Sequence, residues 1–144
     1  MTNPIAFLIL CFISWDNLSQ EPTTENLIDW DMLTVVRTCT VNKKYCDDKL
    51  SIDNALRAKI QVCGQKARNL TIDKAELQKI TNVNKAKIKQ WIDDYHVDSV
   101  CGYLIKLDNS TTDHVFFDSN PENYESDEIK EYIQALNKVY KKIR

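Results

Sequence analysis

The stretch TENLIDWDMLTVVRTC, residues 24 to 39, carries apolar side chains at Ile28, Met32, Val35, Val36 and Cys39. Recurrence at three and four residues predicts an amphipathic helix with Thr24 as its cap, because a 3.6-residue period places such positions on one face. This reading sets the fold class, and the neighbouring segments extend it. The helix is expected to end at CTVNKKYC, residues 39 to 46, where two cysteines enclose six residues.

Only two glycines and three prolines occur, Pro4, Pro22 and Pro121, so the turn residues that a multi-hairpin protein uses are scarce and helices are expected to dominate. A second helix follows the cysteine loop, capped by Ser51 or Asp53, with Ile52, Leu56, Ile60, Cys63 and Ala67 as its apolar stripe. A third starts at Asp73, where Asp73 and Glu76 have capping-box spacing and Leu77 and Ile80 face inward. The fourth, KAKIKQWIDDY, sets Ile88, Trp91, Ile92 and Tyr95 on one face. VDSVCGYLIKL fits a helix through Val97, Val100, Cys101, Leu104 and Ile105, with a short strand over 103 to 107 as the alternative; helix is the expectation. A polar loop from Asp108 to Asp113 precedes VFF, which is expected to cover the core. The last helix begins at Ser126 and buries Ile129, Tyr132, Ile133, Leu136, Val139, Tyr140 and Ile143. Acidic residues occupy its first turn and basic ones its last, which suits the helix dipole. The resulting expectation is all-α: one disulfide-stabilised bundle of five to six helices over residues 20 to 144.

Upstream, Ile5 to Ile13 form an unbroken apolar run. Nine helical residues cover roughly 14 Å, about half a bilayer's hydrocarbon thickness, so the run suits a signal-peptide core and not a membrane span. Residues 1 to 19 are accordingly expected to be a signal peptide, with a buried N-terminal helix as the alternative. Its removal takes Cys11 away and leaves Cys39, Cys46, Cys63 and Cys101, an even set that suits disulfides in an extracellular protein. Three pairings are open, and proximity favours Cys39 with Cys46 and Cys63 with Cys101. Loop closure then contributes about 2.5 kcal/mol for the short loop and about 4 kcal/mol for the long one.

The formal charge of −2 and pI of 5.7 supply no overall basic field, so nucleic acid is not an expected partner. Charge is nonetheless uneven, with thirteen Lys or Arg against seven Asp or Glu between Arg37 and Asp94. The two histidines, His96 and His114, lack metal-ligand spacing with any neighbour, so zinc is not expected. Asp93 and Asp94 diverge by about 100 degrees on a helix and make no acid pair. No phosphate-cradling glycine loop or serine elbow occurs, which leaves no catalytic residue, cofactor or metal to expect. The sequons Asn69-Leu70-Thr71 and Asn109-Ser110-Thr111 are candidate glycosylation sites, and a third, Asn17-Leu18-Ser19, falls in the expected leader.

IDWD at Ile28 to Asp31, the six-residue interval from Cys39 to Cys46, Cys63, and YHVDS from Tyr95 together resemble the insect chemosensory proteins over residues 25 to 99. Lys66 stands where that family has its fourth cysteine, and forty-five residues follow Ser99. The resemblance implies a secreted helical carrier of an apolar ligand, with Cys101 replacing the lost cysteine and the last helix covering one side of the bundle. The expected function is therefore carriage of a small apolar molecule by a monomer. Trp30, Met32, Val36, Leu56, Ile60, Ile88, Trp91 and Tyr95 are the candidate ligand-binding residues. The alternative is a secreted venom-type or salivary-type effector with a filled core, whose partner is an extracellular protein.

Overall fold

The computed structural model describes residues 28–39, 47–95 and 101–143, and the deciding stretch there is a strand, β1, Met32–Cys39. Thr34, Val35, Val36 and Thr38 are β-branched and pack well on a pleated surface. Successive side chains alternate between faces, so Leu33 and Val35, both fully buried, point to one side together with Arg37 and Cys39. Thr34, Val36 and Thr38 point to the other.

The all-α expectation is thereby overturned. The fold is a six-stranded antiparallel sheet of order β4-β3-β2-β1-β5-β6, built from β1, β2 (Asp48–Asp53), β3 (Ala58–Gln61), β4 (Arg68–Leu70), β5 (Cys101–Leu107) and β6 (His114–Asp118). Three α-helices accompany it among the described residues: α1 (Lys74–Thr81), α2 (Lys85–Asp94) and α3 (Asp127–Lys141). The helical architecture implied by the chemosensory resemblance is not the one found. Residues 1 to 19, Cys46 and His96 lie outside the described residues, so the expected leader falls there. No helix among the described residues is long and apolar enough to cross a membrane.

The expected second helix is the β2–β3 hairpin. Ile52 and Ile60 both face the core, but from neighbouring strands, while Leu56 occupies the turn between them with φ 62°. Asp53 builds that turn by accepting the Ala55 and Arg57 N–H groups, each at 3.0 Å. The β5–β6 turn uses Asp108 and Asn109 at φ 53° and 54°. Only the β3–β4 turn relies on glycine, with Gly64 at φ 71° between the Val62 carbonyl and the Gln65 N–H that it accepts at 2.9 Å. Asp and Asn tolerate the left-handed region, so scarce glycine did not mean scarce hairpins. The segment expected as a helix at Val97 to Leu107 contributes β5, whose Tyr103, Ile105 and Leu107 alternate inward.

The helices expected near Asp73, Asn84 and Ser126 are present. Asn84 accepts the Lys87 N–H at 2.7 Å and Ser126 the Ile129 N–H at 3.4 Å, as N-caps do. Asp73 makes no cap bond; its carboxylate is held by Lys142 at 2.7 Å. Trp91 of α2 meets Phe117 of β6 edge to face at 5.2 Å, and Tyr140 of α3 lies 5.3 Å from Tyr103 of β5. One face of the sheet therefore packs against the helices, through Leu33, Val35, Leu50, Ile52, Ile60, Tyr103, Ile105, Leu107, Val115 and Phe117. Of the VFF segment, Val115 and Phe117 enter the core, and Phe116 faces away.

The expected pairing of Cys39 with Cys46 and Cys63 with Cys101 is also overturned. Cys39 and Cys101 stand directly opposite each other on β1 and β5 with Cα atoms 4.0 Å apart, and they form a disulfide across 62 positions of sequence. Proximity along the chain favoured Cys46 only while Cys39 was read as a helix end; strand pairing brings a distant cysteine closer. Cys63 is also disulfide-bonded.

Candidate functional site

Residues directly opposed in an antiparallel sheet share a face, so the register fixes what the second face displays. One row crosses all six strands: Asn69, Lys59, Ser51, Thr34, Lys106 and His114, in the order β4 to β6. Every side chain in it is polar. The adjacent row runs Gln61, Lys49, Val36, Leu104 and Phe116, so its β1, β5 and β6 positions are apolar. Met32, opposite Asp53, adds a further apolar side chain beyond the polar row. Val36, Leu104 and Phe116 are half-buried, and no helix among the described residues packs on this face.

The electrostatics of this open face are one-sided. Lys49, Lys59 and Lys106 enter no ion pair among the described residues. The face's own acids are engaged elsewhere: Asp53 accepts from Arg57 Nε at 2.7 Å, and Asp118 accepts the Asn120 N–H at 2.6 Å. The Arg57 backbone N–H and guanidinium, with the Ala55 N–H, hold the Asp53 carboxyl below its usual range against the opposing effect of burial. Between the lysines, Thr34 is 2% exposed and its Oγ1 has no hydrogen-bond partner; His114 Nδ1 likewise has none. A shallow depression of about 390 Å³ on this face is lined by Met32, Ser51, Asp53, Arg57, Lys59 and Asn69.

Gly102 shapes the far end of the face. A Cβ there would stand 2.0 Å from the Phe117 carbonyl oxygen and 2.8 Å from Cζ of Phe116, so the Phe116 ring lies over a position that must lack a side chain.

A second polar group lies on the helix-covered side. Arg37 Nη2 meets Asp48 Oδ2 at 2.5 Å, and the guanidinium sits 4.9 Å from the centre of the Tyr140 ring. The Tyr140 hydroxyl donates to the Val35 carbonyl at 2.8 Å, and the Tyr103 hydroxyl to Asn137 Oδ1 at 2.6 Å. Burial pushes the Tyr103 phenol up to about 12, although the nearby Arg37 pulls the other way, and burial raises Tyr140 as well. Neutral phenols that join α3 to the sheet serve structure and are far from the proton-transfer range near neutrality.

The eight candidate ligand-lining residues are not brought together. Trp30, Ile60, Ile88 and Trp91 are buried in the core, and the Trp30 indole N–H donates to the Val83 carbonyl at 2.8 Å. Tyr95 packs half-buried against Phe117 and Tyr124. Met32 and Val36 lie on the open face, and Leu56 is exposed at a hairpin tip. Around the IDWD segment, Asp29 accepts the Lys85 N–H that opens α2, at 3.1 Å, and the Asp31 and Met32 N–H groups donate to Asp108 at 2.7 and 2.9 Å. That segment therefore fastens the entry to β1. Asp93 and Asp94 are exposed, and no group of three or more His, Cys, Asp or Glu that could hold a metal occurs among the described residues. Asn69 on β4 and Asn109 in the β5–β6 turn are both exposed.

Sequence reasoning missed Lys49, Ser51, Lys59, Leu104, Lys106 and Phe116 as one surface. Apolar and polar residues alternate in DKLSID and AKIQ, which was the available signal. No protein family, curated protein or solved structure matches the chain.

Proposed function

We propose that this chain is a non-catalytic binding protein of an oxidising, extracytosolic compartment, and that it meets another protein through the open face of its sheet. The observation that carries this reading is a filled core beneath a second sheet face on which no helix packs among the described residues. Leu33, Leu50, Ile52, Ile60, Ile88, Ile105 and Leu107 are all fully buried against one another and against the helices. A carrier needs an apolar chamber of several hundred Å³. The side chains expected to line one are divided among core, open face and hairpin tip. The Cys39–Cys101 disulfide and the apolar run at residues 5 to 13 support the compartment.

Titration with a fluorescent fatty-acid-like probe tests the filled core. A response that does not saturate is expected; saturation near one site per chain would overturn the reading and restore the carrier.

A further inference from the structure

The open face specifies the chemistry of what docks on it. We infer that its partner is an extended segment of another protein in which acidic and apolar residues alternate, laid across the strands with its acids on the Lys59–Lys106 row. The inference rests on the proposal that this face is the contact surface, and adds to it the kind of partner.

Charge complementarity is the first argument. Lys49, Lys59 and Lys106 come from β2, β3 and β5, face one way, and are neutralised by no described carboxylate. The whole chain is formally −2, whereas Lys49, Lys59 and Lys106 outnumber Asp53 and Asp118 on this face and leave it locally positive. Spacing is the second. Lys59 and Lys106 are separated by the two intervening strands β2 and β1. Three inter-strand steps of about 4.8 Å place their backbones roughly 14 Å apart. An extended chain advances about 3.4 Å per residue, so acids four positions apart match that span and project to the same side. The alternate residues of such a chain project the other way, over Val36, Leu104 and Phe116. Ser51 lies along the row between the two lysines, where its partly exposed hydroxyl can serve the partner's polar groups.

Two other occupants fit less well. A second copy of this chain, packed face to face by a two-fold axis, sets lysine against lysine. An anionic bilayer attracts the same lysines, but surface-bound proteins also bury projecting apolar side chains among the lipids. Here Val36, Leu104 and Phe116 are half-buried in the floor of the face.

The test uses the full chain and a labelled peptide of about nine residues alternating glutamate with leucine, long enough to span both lysines. Fluorescence anisotropy is expected to report binding that weakens as salt rises. Lys59→Glu combined with Lys106→Glu is expected to weaken it about tenfold, because each exposed contact contributes a few-fold and reversal adds repulsion. Lys89→Glu, on the exposed surface of α2, is expected to change it less than about twofold. Lys59→Ala with Lys106→Ala serves if the double reversal does not fold. Absence of peptide binding, or an equal loss with Lys89→Glu, would overturn the inference. So would phosphatidylserine vesicles bound through Lys59 and Lys106 while the peptide is ignored, which assigns the face to a membrane. The fatty-acid probe reports separately: saturable probe binding with retained peptide binding would remove the filled-core reading alone.

Discussion

Replacing Arg37 by methionine should cost about 3 kcal/mol, because it strands a largely buried carboxylate. The Arg37 and Asp48 side chains are 23% and 11% exposed, and the second Asp48 oxygen accepts only the Cys63 N–H, at 3.3 Å, among the described contacts. Breaking a fully buried pair costs about 3–5 kcal/mol; water that reaches the guanidinium side reduces this to about 2–3 kcal/mol. Loss of the guanidinium over the Tyr140 ring adds about 0.5 kcal/mol. The double variant Arg37→Met/Asp48→Leu removes both charges and leaves side chains that can pack, so it should lie within about 1 kcal/mol of the parent. Urea unfolding of the oxidised protein, comparing both single variants with the double, measures the coupling directly. A cost below about 0.5 kcal/mol for Arg37→Met, or a double variant as damaged as the sum of the singles, would refute this reasoning.

Gly102→Ala should destabilise by more than about 2 kcal/mol in the same assay, since the new methyl collides with a backbone carbonyl that cannot swing aside. Leu56→Gly should stabilise by about 0.5–1 kcal/mol, because relief of left-handed strain outweighs the added freedom of the unfolded chain, and the leucine is already 41% exposed. Alkali should weaken the fold: the Tyr103 phenol is raised from 10 to about 12, so its contribution is intact below pH 10 and is lost as pH climbs through 12. The expected slope is about 1.4 kcal/mol per pH unit, with Tyr124, Tyr132 and Tyr140 acting in the same direction. Urea midpoints that stay flat above pH 10, or that Tyr103→Phe leaves unchanged, would contradict it. Peptide mapping without reduction should recover Cys39 joined to Cys101; a fragment joining Cys39 to Cys46 would contradict the register.

Helices α2 and α3 were legible because each buries a single stripe and carries its own cap. Those signals are local. The strands were hidden by specific side chains. In β1 the inward positions are Leu33, Val35, Arg37 and Cys39, and Arg37 interrupts the apolar series while Val36 sits outward, so alternation gives way to a chance helical period. In the β2–β3 hairpin, Ile52, Leu56 and Ile60 are four apart, yet the middle one occupies a turn. Turns made by Asp53 and by Asp108–Asn109 also left no glycine to count. The candidate site was less legible still, because its polar row draws one residue from each of six strands scattered from Thr34 to His114. Which residues become neighbours depends on pairing between distant segments, and no local period encodes that pairing.

The bond between Cys39 and Cys101 closes a ring that contains, among the described residues, β2, β3, β4, α1 and α2. A single backbone cut inside that ring would not release a fragment. The nicked molecule would migrate as one species until reductant was added, and only then as two, so this protein can be clipped there without being dismembered.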